Sequence, residues 1–146
     1  MNLGRAGIWL GSMANLPAAE LRRAVIEIET MGFGTIWIGE AVGREPFAAC
    51  ALILSSTSHV TVATGIANIW VRDATAMMNG ARTLAEAWPN RFVLGIGVSH
   101  VPLVSARGHR YERPPQEALE VDYDPWAGYT GPDRSGQLDR PKRQRP

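Results

Sequence analysis

The sequence predicts an α/β protein built on a parallel sheet, and three features of the 146-residue chain predict it. Short apolar runs alternate with amphipathic helical stretches, each run beginning about 25 to 30 residues after the one before. The runs are continuously apolar rather than alternating, as strands covered on both faces require. Glycines cluster at their C-terminal ends. Strand–helix alternation with this rhythm means repeated βαβ units.

Each element has its own justification. Gly7-Ile-Trp-Leu-Gly11 is the first strand. Pro17 then opens a helix, where its missing N–H costs nothing. Leu21, Val25, Ile28 and Met31 recur at steps of three and four and give that helix one apolar face. Gly32 and Gly34 stop it. Thr35-Ile-Trp-Ile-Gly-Glu40 is the second strand, and Pro46 opens a largely buried helix running to about Thr57. Ser55 to Ser58 unwind it into a turn before the third strand, Val60 to Gly65. Ile66 to Arg72 is a loop, closed by Asp73 as an N-cap. Met77, Ala81, Leu84 and Trp88 form the stripe of the next helix, which Pro89 ends. Arg91-Phe-Val-Leu-Gly-Ile-Gly97 is the fourth strand.

Composition narrows the partners. With 45% hydrophobic and 20% charged residues the chain reads as an ordinary globular protein. A net charge of +1 argues against a nucleic-acid or anionic-membrane partner. The one cysteine, Cys50, sits among alanines and leucine and reads as a buried thiol in a reducing compartment. The N-terminus lacks the order of a signal peptide, and no apolar run approaches the ~20 residues of a membrane span. A cytoplasmic location is expected. His59 and His109 have no ligand spacing, so no metal site is expected.

From Pro114 the character changes. Six of the ten prolines fall in residues 114–146, and no apolar period survives there. The sequence therefore divides into a folded part, 1–113, and a Pro-rich tail, 114–146, that reads as disordered and solvated.

Four features converge at the C-terminal mouth of the expected sheet, where parallel α/β proteins bind ligands. They are Gly11-Ser12, Glu40, Thr64-Gly-Ile-Ala-Asn68, and Gly95/Gly97 with Ser99 and His100. Backbone amides and small side chains around one mouth suit a flat, phosphorylated cofactor. A dinucleotide fingerprint is the weaker reading of Gly95-x-Gly97, since His100 takes the third glycine's place and the pair follows a fourth strand.

The whole pattern resembles the luciferase-like monooxygenase family, flavin- and deazaflavin-dependent (β/α)8 barrel oxidoreductases. Glu29–Glu40, Val62–Asn68, Ala81–Glu86 and Arg91–Gly97 carry the resemblance, in order, over roughly residues 3 to 114. Gly108–Pro114 looks like an actinobacterial subgroup assigned to coenzyme F420. The resemblance implies a TIM-barrel-type fold, with coenzyme F420 as cofactor or FMN as the alternative. It implies a non-prolyl cis peptide at Gly65–Ile66 behind the ring, with Thr64 and Asn68 beside it. Gly97, Val98 and Ser99 would lie along the cofactor. Glu40 matches an acidic position near its reactive face, and His100 is placed to donate to a substrate oxygen or to act as acid or base. The implied reaction is hydride transfer between deazaflavin and a small organic substrate, or flavin-dependent monooxygenation.

Barrels of this type need eight strands and ~250 residues, and this chain supplies four. Three readings follow: a truncated, non-catalytic relic; pairing with a second half-barrel, as a homodimer or with a separate chain; or a tail that caps the sheet. The abrupt loss of periodicity after Arg113 favours the first.

Overall fold

Four short strands lie side by side because each carries a row of apolar side chains that only helices can cover. In the computed structural model, residues 3–11 and 16–111 are described, all within the unit Met1–Arg113. The segment read as a tail, and Ser12, lie outside the described residues. Strand β1 (Gly7–Trp9) is followed by helix α1 (Ala18–Thr30), β2 (Thr35–Ile38) and α2 (Pro46–Leu54). Then come β3 (Thr61–Thr64), β4 (Ala67–Asn68), α3 (Ala74–Ala87), β5 (Phe92–Val93), β6 (Ile96–Gly97) and α4 (Val101–Ala106). One parallel sheet runs in the order β1-β2-β3-β5, and β4 pairs with β6 in a second, two-stranded parallel ladder.

The two faces of the larger sheet differ. Ile36, Ile38, Val62 and Phe92 turn toward the helices and join Leu21, Val25 and Ile28 of α1, Cys50, Ile53 and Leu54 of α2, and Leu84 of α3 in one core. Burying aliphatic side chains of this size stabilises by about 1.5–3 kcal/mol each. On the opposite face the register aligns Trp9, Trp37, Ala63 and Val93 in a row across all four strands. Trp9 at the sheet edge is 62% exposed.

The helix ends follow local chemistry. Asp73 caps α3 by accepting from Ala76 N–H at 2.7 Å. Glu45 caps α2 by accepting from Ala48 N–H at 2.6 Å, with Pro46 in the first position. α2 stops at Leu54, short of the expected Thr57, because Ser56 and Thr57 hydroxyls donate back to the Leu52 and Ile53 carbonyls. Met31, expected on the buried stripe of α1, is 71% exposed: the helix ends at Thr30, and Gly32 turns the chain at φ +87°. Trp88 falls at the C-cap of α3, yet packs against the core that Ala81 and Leu84 of its stripe enter.

Two expectations about strands are corrected. The fourth strand is not continuous from Arg91 to Gly97 but breaks at Leu94–Gly95. The segment Ile66–Arg72 is not wholly loop, since Ala67–Asn68 pairs with Ile96–Gly97. Both follow from one side chain, Thr64, described below. The six-residue α4 had no signal in the periodicity. Cys50 is buried in α2, and burial, with Glu45 adding to it, pushes its thiol well above the ordinary range. No described helix is long and apolar enough to cross a membrane.

At the opposite end from the strand C-termini, Glu29 ties α1 to the α2–β3 turn. Its carboxylate accepts from the N–H groups of Ser58, His59 and Val60 at 2.6–3.0 Å. Partial burial raises its pKa, but these three donors and Arg91 outweigh that and hold it below the usual carboxylate value. A carboxylate depressed in the folded state contributes stability above its unfolded pKa and loses it as pH falls through the folded one. Glu29→Gln is therefore expected to lower the melting temperature at pH 7. The gap to the wild type should narrow from about pH 5 downward. Thermal melts across that range check it; a gap that stays constant to pH 3 contradicts the assignment.

Candidate functional site

At the C-terminal ends of the strands the ladder hands over from main chain to side chain. The Thr64 hydroxyl donates to the Gly95 carbonyl and accepts from the Gly95 N–H, both at 2.8 Å. One hydroxyl thus replaces a backbone pair and splits both the third and the fourth strand into two pieces, β3 with β4 and β5 with β6. Gly95 cannot be anything larger, because a Cβ there would stand 2.2 Å from the Thr64 carbonyl oxygen. Immediately after Thr64 the Gly65–Ile66 peptide bond is cis. The chain then re-enters a ladder, with Ala67 N–H donating to Gly95 O at 2.7 Å and Ile69 N–H to Gly97 O at 3.1 Å. Gly97 packs directly against Ile66, whose side chain lies 3.0 Å from where a Cβ would be.

Glu40 holds this bulge to strand β2. Its N–H donates to Ile66 O at 3.1 Å, and its carboxylate accepts from Asn68 N–H at 2.7 Å. The same carboxylate receives both terminal nitrogens of Arg72, at 2.8 and 2.5 Å. Arg72 also reaches Glu45 at 3.0 Å and lies 5.0 Å above the Phe47 ring. Glu40 is 8% exposed, so a forked pair with a guanidinium is what makes its charge tolerable there. The hydrogen bond to Glu40 in turn raises the Arg72 pKa against the effect of burial.

Asn68 is 1% exposed. Its Oδ1 accepts from Trp70 N–H at 2.9 Å, which fixes which end of the amide is which. Among the described residues its Nδ2 has no hydrogen-bond partner, although it is buried. An unsatisfied buried donor costs about 1–3 kcal/mol. Trp70 Nε1 donates to Val98 O at 2.9 Å, tying the loop after β4 to the segment after β6. Ser99 follows with φ +59°, and His100 is the exposed N-cap of α4 with no side-chain capping bond. On the sheet face that carries Trp37, Trp9 Nε1 donates to Gly65 O at 3.1 Å, and its indole lies against Gly39 and Gly65.

The residues marked from sequence are thus brought together unequally. Glu40, Thr64, Gly65, Ile66, Asn68 and Gly97 form one continuous hydrogen-bonded and packed group. Val98 joins through its carbonyl; Ser99 and His100 border the group, with no hydrogen bond from their side chains into it among the described residues, and His100 faces solvent. Sequence reading missed Arg72, Trp70 and Trp9. The available signal for Arg72 was Glu40 itself, a carboxylate at the end of an apolar strand that needs a cation.

A sequence model of the luciferase-like monooxygenase family matches residues 2–121. The chain belongs to that family. A Mycobacterium tuberculosis protein assigned by name as a coenzyme F420-dependent oxidoreductase is 29% identical to this luciferase-like chain over 127 residues, 84% of this chain and 37% of that one. Among solved structures, the coenzyme F420-dependent tetrahydromethanopterin reductase of Methanopyrus kandleri superposes with a TM-score of 0.67 at 19% identity. That match covers 75% of this chain and 31% of the reductase. The oxygenating constituent of 3,6-diketocamphane monooxygenase from Pseudomonas putida, in complex with FMN, gives 0.62 at 14% identity over 71% of this chain and 32% of that one. These likenesses make the fold of the luciferase-like chain that of the (β/α)8 barrel enzymes, of which its four parallel strands and their helices form one part. The chain spans about a third of the length of the curated relatives it matches.

Removing one member of a buried ion pair leaves the other unpaired, at a cost of about 3–5 kcal/mol. Arg72→Met is therefore expected to lose stability on that scale, and adding Glu40→Gln is expected to restore part of it. Chemical denaturation of the single and double variants measures both. A double variant no more stable than Arg72→Met contradicts the charge argument.

Proposed function

We propose that this chain supplies the deazaflavin-facing part of an oxidoreductase, transferring hydride between coenzyme F420 and a small organic substrate. The observation that carries the reading is the buried Asn68 Nδ2, a donor without a partner among the described residues, beside the cis Gly65–Ile66 bond. A ring edge rich in carbonyl and nitrogen acceptors is the ligand such a donor lacks. The residues present fit the group: Asn68 would donate to the ring edge, Gly65 and Ile66 would back it, and the main chain at Gly97, Val98 and Ser99 would lie along it. The deazaflavin supplies the hydride chemistry when bound. FMN is the alternative ligand for the same surface, and would bring oxygen chemistry instead.

The chain's own part is to position and exclude. Glu40, whose carboxylate is shared between Arg72 and the Asn68 N–H, acts as a positioning residue that holds the bulge in register. His100, exposed at the start of α4, is the group available to give or take a proton at a substrate oxygen. A second reading, a family fold without its chemistry, draws on Trp9. Its indole rests on Gly39 and bonds to Gly65 O, on the sheet face where a ring would lie.

Fluorescence titration with F420, and with FMN for comparison, separates the two. The proposal expects saturable binding by the wild type. Asn68→Ala is expected to weaken it about tenfold, the value of one buried hydrogen bond. No binding of either ligand to folded protein leaves the second reading standing.

A further inference from the structure

Beside the mouth, a cleft of about 410 Å³ opens between the β2–α2 loop and α4. Its size falls within the range of small-molecule sites. Val42, Val71, Leu103 and Ala106 give it apolar walls, and Arg44 and Arg107 stand among them. The cleft also touches Glu40, so it adjoins the group described above.

The charges around it do not cancel. The two carboxylates at its edge, Glu40 and Glu45, are both committed to Arg72. With Arg72 behind the wall counted, three guanidiniums stand against two carboxylates, leaving one positive charge in excess. Arg44 donates to the Leu16 carbonyl, and among the described residues its buried Nε has no partner. Arg107 donates to Ala41 O at 2.9 Å, bridging α4 to the β2–α2 loop across the cleft. Among the described residues neither arginine has a carboxylate partner. A buried guanidinium N–H without an acceptor is costly, and an anion that supplies one gains a charge-assisted hydrogen bond.

We infer that this cleft binds the substrate, and that the substrate is a small organic anion: an apolar body against Val42, Val71 and Leu103, with a carboxylate-type head held by Arg44 and Arg107. The identification as a substrate site rests on the oxidoreductase reading; the preference for an anion rests on the cleft alone. Guanidinium forks suit carboxylate and phosphate geometry, and the walls favour an aliphatic or aromatic remainder over a sugar.

The test is calorimetric titration of the full chain with hexanoate and, separately, with hexanol, which shares the apolar body and lacks the charge. Hexanoate is expected to bind at least tenfold more tightly, as one charge-assisted contact would give. Arg107→Gln and Arg44→Met are each expected to reduce that preference, and Arg107, on the exposed side of α4, can be changed without disturbing the core. Equal binding of the two probes, or a hexanoate affinity unchanged in both variants, overturns the inference. An F420 titration of the same wild-type sample keeps the two proposals apart. Hexanoate preference with no binding of F420, or of FMN in a parallel titration, leaves the anion cleft and removes the oxidoreductase reading; binding of either without hexanoate preference does the reverse.

Discussion

A single buried carboxylate sets the geometry of the strand ends. Glu40 stands where strand β2 leaves the sheet, 8% exposed, and an unpaired charge there would cost several kcal/mol. Its requirements are met from one direction, by the segment that follows strand β3: the Asn68 N–H and the fork of Arg72. Satisfying Glu40 therefore fixes where Asn68 and Arg72 sit. Through Asn68 Oδ1 and Trp70 Nε1 the constraint reaches the backbone at Val98. Three segments remote in sequence, at residues 40, 68–72 and 98, are held by one charge and its partners.

Thr64 makes that arrangement possible. By bonding both backbone groups of Gly95 it lets the chain leave the main ladder at β3 and β5 and re-pair one step later as β4 and β6. The kink turns the Ala67–Asn68 segment toward Glu40, which a straight strand would not do. It also separates two environments. Below it the sheet is covered by α1, α2 and α3; beyond it Gly65 and Gly97 carry no side chains of their own, so that Trp9 and Trp37 approach the backbone of the first and Ile66 that of the second. Stability and site are divided along the strands, as in other parallel α/β proteins, where the C-terminal ends carry the chemistry.

The parts of this legible in the sequence were those with a period. Apolar runs and stripes at 3.6-residue spacing place β1, α1, β2, α2, β3 and α3, because burial on one face or two leaves that mark on composition. Asp73 was recognisable as a cap from its position alone, and the resemblance to the family pointed to the cis bond at Gly65–Ile66 that the structure has. What escaped was what depends on one side chain meeting a distant backbone. The break at Gly95 arises from a threonine hydroxyl 31 residues away in sequence, which no local pattern records. Arg72 lies 32 residues from Glu40, and its role appears only once the strands are paired. Helix α4 is too short to show a period, so His100 was read as following a strand, which it does after β6, but not also as the N-cap position of a helix.

The central claim is that the strand ends form a rigid, hydrogen-bonded group rather than a set of loops, and amide hydrogen exchange tests it most directly. The account predicts that the N–H groups of Asn68 and Gly95, bonded to the Glu40 carboxylate and the Thr64 hydroxyl, exchange nearly as slowly as that of Val62 in the middle of the sheet. Exchange of Asn68 and Gly95 at the rate of an open loop, with Val62 still protected, would contradict it.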